Sequence, residues 1–212
     1  MYKQVVICTG GSLGDWALPH LQHCDFLIGA DKGAYFLASQ GFRMNAALGD
    51  FDSVEEEQLA LVRASSDTVS PCDPVDKDYT DTELAFRLAL GMKPRHIKLL
   101  GATGTRFDHT LANVHLLSTA LDEGVEASII DEHNRISITG RSMSVEKSEF
   151  THVSLLPLTE RVTGITLTGF RYPLCDATLR IGQSLGISNV LDGDSGLIEL
   201  REGRLLVIES RD

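Results

Sequence analysis

Residues 46–53 read Ala46-Ala47-Leu48-Gly49-Asp50-Phe51-Asp52-Ser53, an apolar run closed by a glycine and followed by two carboxylates one residue apart. The next stretch, Val54 to Ala64, has the pattern of a helix, so both acids fall in the connection between a buried strand and that helix. In open α/β sheets, ligands bind at that edge of the strands. Two carboxylates at this spacing suit a hard cation such as Mg²⁺, which takes oxygen ligands and keeps water and substrate phosphate in its shell. A plainer account also fits the octapeptide alone. Ser53 with Glu56 matches a capping box, and acids near a helix N-terminus are stabilised by its dipole with no metal present.

What favours a shared site is that the pattern recurs on either side. Lys3 to Thr9 is a β-rich apolar run ending in Gly10-Gly11, as expected of a buried, central parallel strand. The Gly10-Gly11-Ser12-Leu13-Gly14 turn lacks both G-x-G-x-x-G and the Walker pattern, so it is only weakly like a phosphate loop. Asp25 to Ala30 is a second strand, and Asp31-Lys32-Gly33-Ala34 opens a helix running to about Gln40. Asp67 to Ser70 is a short strand, and Pro71 to Pro74 a loop. Asp76-Lys77-Asp78-Tyr79-Thr80-Asp81-Thr82-Glu83 then leads into a helix over Leu84 to Leu90, with Thr80 and Glu83 placed as a capping box. His20 and His23 lack a third nitrogen or sulfur ligand nearby and read as surface residues.

His96 to Leu100 is the next strand, followed by Gly101-Ala102-Thr103-Gly104-Thr105-Arg106-Phe107-Asp108-His109-Thr110. Phe107, Leu111, Val114, Leu117 and Leu121 recur at helical spacing and predict one apolar face, with Arg106, His109 and Asn113 on another. The glycines leave backbone N–H groups free to face an anion at the helix start, and Arg106 can add a guanidinium fork for phosphate. Asp31, Asp50/Asp52, Asp81 and Asp108 thus each precede a helix or lie in its first turn. Right-handed crossovers bring such connections to one edge of a parallel sheet, so these carboxylates are expected to converge.

After a last strand, Ala127 to Asp131, the texture changes. Short β-branched or leucine-rich runs from Arg135 to Ile208 are separated by turn signals at intervals of roughly 8 to 12 residues, as in an all-β sandwich or barrel. The expected organisation is α/β, with a parallel-sheet catalytic domain over residues 1–134 and a β-sandwich over 135–212.

Composition narrows the function classes. A hydrophobic content of 42% and a charged content of 23% are ordinary for a globular protein. No apolar run approaches the roughly 20 residues of a membrane span. A formal charge of −11 argues against general nucleic-acid binding, though not against one nucleotide bound through a metal. Cys8, Cys24, Cys72 and Cys175 form no C-x-x-C pair and fit free thiols in a reducing compartment. The N-terminus has no signal-peptide architecture, and cytoplasm is the expectation.

In combination these residues resemble the thiamine pyrophosphokinase family. The matching elements are Ala30-Asp31 with Gly33-Ala34, Gly49-Asp50-Phe51-Asp52-Ser53, Lys77-Asp78 with Thr80-Asp81, and Gly101-Ala102-Thr103-Gly104 with Arg106-Phe107-Asp108-His109. Leu156-Pro157-Leu158 and Gly186-Ile187-Ser188-Asn189 are similar to its C-terminal domain. Lys32 stands where the family often has glycine, and the final strand, Leu-Leu-Val-Ile, lacks the tryptophan that stacks on thiamine in eukaryotic relatives.

The resemblance implies a β domain that helps bind thiamine, a homodimer with active sites between subunits, and the reaction of ATP with thiamine to give thiamine diphosphate and AMP. It makes Asp50, Asp52 and Asp81 the expected Mg²⁺ ligands, and Asp108 a further ligand or an acceptor near the attacking hydroxyl. Asp31 falls on the nucleotide side. Arg106, Lys77 and the Gly101, Thr103 and Gly104 backbone would face phosphate, with Asp78, Thr80 and His109 beside them. Ser188 and Asn189 would meet the aminopyrimidine, although Ser and Asn are also favoured in a plain β-turn. Two other readings share these features: a pyrophosphokinase for another hydroxymethyl heterocycle such as a pterin, and a non-catalytic thiamine or nucleotide sensor.

Overall fold

The computed structural model describes residues 2–52, 54–71 and 79–212. Ser53, Cys72, Lys77 and Asp78 therefore lie outside the described residues, as does the proposed loop around Pro74. The chain divides into two compact units, Met1–Glu132 and His133–Asp212. The division falls within two residues of the expected boundary, and Asn134 pairs with Ser210 in an antiparallel ladder of the second unit.

In the first unit β1 (Gln4–Cys8), β2 (Phe26–Ala30), β3 (Met44–Gly49), β4 (Ser66–Pro71), β5 (His96–Leu100) and β6 (Glu126–Ile130) form a parallel sheet in the order β4-β3-β2-β1-β5-β6. β1 is central, as its sequence predicts. Val5, Val6, Ile7 and Cys8 are wholly buried, the mark of a strand covered on both faces. The connections are α1 (Leu18–Leu21), α2 (Lys32–Ser39), α3 (Glu56–Ala64), α4 (Asp81–Gly91) and α5 (Phe107–Asp122). Among the described residues no helix is long and apolar enough to cross a membrane.

Two helical expectations need correcting. α3 starts at Glu56 rather than Val54, because Glu55 adopts extended backbone and forms a reciprocal capping box with Gln58. That box sets the helix start two residues later than expected, and Ser53 of the expected pair lies outside the described residues. In α5 the buried set is Asn113, Val114, Leu117 and Ala120. Phe107 is 74% exposed and Leu111 45%, although both lie on the predicted apolar stripe. Arg106, His109 and Thr110 line a cavity, whereas Phe107 and Leu111 do not, and the packed face begins only at Asn113.

The second unit holds two antiparallel sheets. One consists of β7 (Asn134–Thr139), β13 (Leu205–Ser210) and β9 (His152–Pro157). The other runs β11-β10-β12-β8, from Ala177–Arg180, Arg161–Thr168, Ser195–Glu199 and Met143–Glu146. Val153, Leu155, Leu205 and Val207 of the first sheet pack with Val145, Val162, Ile165, Leu179 and Ile198 of the second. This shared core makes the unit a sandwich.

Candidate active site

From β1 the chain winds outward through β2, β3 and β4, then returns to place β5 on the other flank of β1. That reversal makes the carboxyl ends of β1 and β5 the topological switch point of the sheet, where a crevice must open between diverging connections. A cavity of about 390 Å³ lies there. Its floor comes from Thr9, Gly10 and Gly11 after β1 and from Gly101 to Thr105 after β5.

These two loops are joined to each other. Gly11 N–H donates to the Gly101 carbonyl at 2.8 Å, and Ser12 N–H to the Thr103 carbonyl at 2.8 Å. A side chain on Gly11 would overlap both carbonyl oxygens, so only glycine permits this approach. Thr9, 2% exposed, donates its hydroxyl to the Gly101 carbonyl. The buried Asn113 amide donates to the Ala102 carbonyl at 2.8 Å, and the Thr103 hydroxyl to Asp131 Oδ2 at 2.9 Å.

The opposite wall carries two of the expected acids. Asp31 follows β2 with φ 50° and ψ −123°, a backbone position costly for any residue with a Cβ. It is held there by its N–H on the Leu48 carbonyl and by Ala34 N–H on its own carbonyl, both 2.9 Å. Gly33 behind it packs so closely on the Cys8 carbonyl that a Cβ would overlap it. Asp81 stands in the first turn of α4, which Thr80 caps by accepting from Glu83 N–H at 3.2 Å. Asp31, Thr80 and Asp81 all line the cavity, with Lys32, Arg106 and His109 as the basic residues around it.

The other acids are placed differently. Asp50 and Asp52 are exposed at the end of β3, and Asp50 Oδ1 accepts from the Asp52 N–H at 3.1 Å. They do not line this cavity, although Gly49, just before them, lies against Asp31. The expected single convergence is thus partial: Asp31 and Asp81 share the cavity, while Asp50 and Asp52 sit beside it on the neighbouring strand end. Asp108 also lies outside the lining, bound to Arg106 at 2.6 and 3.3 Å. That guanidinium holds the Asp108 carboxyl below the usual carboxylate range, and Asp108 in turn raises Arg106.

Among the described residues no three His, Cys, Asp or Glu side chains form a cation-binding group. The set nevertheless fits Mg²⁺, which binds through one or two carboxylates together with substrate phosphates rather than in an all-protein cage. Asp31 and Asp81 in the lining and the exposed Asp50 and Asp52 are oxygen donors of that kind.

In the second unit, Ser188 is exposed at φ 58°, its N–H on Ser154 Oγ. Asn189 is 6% exposed, its Oδ1 accepts from Tyr172 and Val190 N–H groups, and its Nδ2 donates to the Tyr172 carbonyl at 2.7 Å. The side chain is thereby tied to the Tyr172 and Val190 backbone.

Thr9, Gly10, Gly11, Asn113 and Asp131 were not among the expected site residues. The glycine pair carried a weak signal, and Asn113 showed only as a polar residue on the face of α5 shared with Arg106 and His109. Nothing local marks Thr9 or Asp131, whose partners are 92 and 28 residues away.

Residues 18–129 match the family described as "Thiamin pyrophosphokinase, catalytic domain", and residues 142–205 match "Thiamin pyrophosphokinase, vitamin B1 binding domain". A thiamine pyrophosphokinase of Bacillus subtilis (strain 168) is 34% identical over 187 residues, 87% of each chain. The crystal structure of a thiamine pyrophosphokinase from Bacillus subtilis superposes with a TM-score of 0.92 at 32% identity, over 99% of this chain and 100% of that one. That of a thiamin pyrophosphokinase from Geobacillus thermodenitrificans gives 0.88 at 36% identity, over 99% and 98%. With a catalytic-domain match over most of the parallel-sheet unit and a vitamin-binding match over most of the sandwich, the chain belongs to the thiamin pyrophosphokinase family.

Proposed function

We propose that this protein transfers the diphosphoryl group of ATP to the hydroxyl of thiamine, giving thiamine diphosphate and AMP. The observation that carries this reading is the switch-point cavity, floored by two interlocked glycine loops and walled by Asp31 and Asp81. The hydroxyl oxygen attacks the β-phosphorus, the bond from that phosphorus to the α–β bridging oxygen breaks, and AMP leaves with that oxygen. The hydroxyl proton passes to a carboxylate or to water. Such a transfer depends on holding the triphosphate in line and neutralising its charge.

Each part of the cavity has a role in that task. The Gly101, Thr103 and Gly104 backbone supplies fixed dipoles to phosphate oxygens, and His109 and Lys32 lie beside them. Arg106 is held by Asp108 at the mouth of α5, where it meets phosphate charge. Asp50, Asp52 and Asp81 would hold Mg²⁺, with Asp31 on the nucleotide side. When bound, Mg²⁺ supplies charge neutralisation between the phosphates. Lys77 and Asp78 belong to the same reading by their place in the family motif.

Thiamine is read as held with help from the sandwich, near Ser188, in a homodimer with shared sites. The exposure of Phe107 and Leu111 supports a subunit contact, since large apolar side chains together at a surface favour burial. Sedimentation should show a dimer that Phe107→Asp converts to monomer. A cytoplasmic setting is supported by Cys8, Cys24 and Cys175 being free thiols.

The deciding experiment supplies purified protein with ATP, Mg²⁺ and thiamine. AMP should appear in step with thiamine diphosphate. Formation of ADP with thiamine monophosphate, or turnover of a pterin and not of thiamine, would contradict the assignment.

A further inference from the structure

Three successive carbonyls of the loop after β5 are each taken by a group from elsewhere in the chain. Gly101 O accepts from the Thr9 hydroxyl and Gly11 N–H, Ala102 O from the Asn113 amide, and Thr103 O from Ser12 N–H. A trans peptide is planar, with C=O and the following N–H pointing opposite ways. Pinning a carbonyl therefore fixes the direction of the next N–H, here those of Ala102, Thr103 and Gly104, all in residues that line the cavity.

Thr9 and Asn113 are the two side chains in this brace, and both are nearly inaccessible, at 2% and 7% exposure. Asn113 is one of the buried residues of α5, with Val114 and Leu117, and it also lines the cavity. An apolar residue there would extend the packed face without the cost of burying an amide. The amide instead spans from the helix to the loop.

We propose that Asn113 and Thr9 are positioning residues for ATP, acting through the loop peptides at 101–104 whose N–H groups they orient toward phosphate. This rests on the reading that the cavity takes the nucleotide. Preorganised N–H dipoles bind charge without reorganisation, and a loop free to rotate its peptides loses that advantage. The loss falls on nucleotide affinity and leaves the thiamine side alone.

The test uses two uncharged substitutions of similar size in the whole chain, Asn113→Leu and Thr9→Val. Each removes one donor from the brace, and either suffices if the other fails to fold. For each, KM for ATP should rise by about tenfold, the effect of roughly one hydrogen bond, while KM for thiamine stays within about twofold. Calorimetric titration with a non-hydrolysable ATP analogue and Mg²⁺ should show the same weakening. Variants that melt earlier but keep wild-type analogue affinity and KM for ATP would show that the brace is structural only. A wild-type protein that binds no analogue would overturn the nucleotide reading and the proposal with it, whereas wild-type binding with unaffected variants overturns the proposal alone.

Discussion

Arg106 and Asp108, two residues apart at the start of α5, are bonded side by side, Nη2 to Oδ2 at 2.6 Å and Nε to Oδ1 at 3.3 Å. Both are largely exposed, so water screens the pair and it contributes little to folding. Its consequence is positional, because a fork anchored on one edge presents its remaining N–H donors in a fixed direction. Asp108→Asn should leave the melting temperature nearly unchanged while weakening ATP use. Arg106→Lys should lose most of the activity despite keeping the positive charge, since lysine lacks the planar fork. Steady-state kinetics with ATP as the varied substrate would check both.

The capping and metal accounts of the acids after β3 now separate cleanly. α3 is capped by Glu55 and Gln58, so neither Asp50 nor Asp52 is needed to start it. Asp52→Asn should lower turnover by at least about a hundredfold, on the order of 3 kcal/mol of transition-state stabilisation, without changing the melting temperature. Glu55→Ala should do the reverse, costing about 1 kcal/mol of stability and sparing catalysis. The metal assignment fails if Asp52→Asn keeps full turnover.

Asp31 occupies backbone that glycine tolerates far better than aspartate. Asp31→Gly is therefore expected to stabilise the folded chain by about 1 kcal/mol, a strain-relief estimate, while abolishing most activity because the cavity loses a carboxylate. Denaturant unfolding beside a product assay gives both numbers. An unchanged or lower unfolding midpoint would mean that the surrounding contacts already absorb the strain.

Glu209 on β13 is 4% exposed and lies opposite Arg135 on β7, with the nearest approach 3.3 Å. Burial pushes its carboxyl above the ordinary range, and Arg135 only partly offsets this. The folded chain thus holds this proton more tightly than the unfolded chain does. Glu209's contribution to stability is full below the unfolded pKa and declines as pH rises through the raised folded value. Unfolding free energy measured from about pH 4 to 7 should show a downward slope from this group, which Glu209→Gln removes. An identical slope in the variant would assign the effect elsewhere.

Some of this architecture was legible because it is local. The run His96 to Leu100 is bounded in sequence as it is in the sheet, since an apolar stretch closed by glycine has few other folds available. The strands Met143–Glu146 and His152–Pro157 were equally plain from composition and flanking turns. The start of α3 was misread because two capping boxes overlap by two residues, and propensity does not choose between them.

What only the tertiary structure decided depends on strand order. Sequence put an acid after several strands, but β5 beside β1 rather than beside β4 is what opens the cavity next to Asp31 and Asp81 and leaves Asp50 and Asp52 to one side. Likewise, the Asn189 amide is tied to the Tyr172 backbone, 17 residues earlier, by a bond that only the fold brings about. Thr9 and Gly101 are 92 residues apart, and their bond exists only because their strands are neighbours. Periodicity and capping reflect forces acting over one or two turns of chain. Convergence of side chains on a ligand is fixed by pairings between distant segments, which no local pattern encodes.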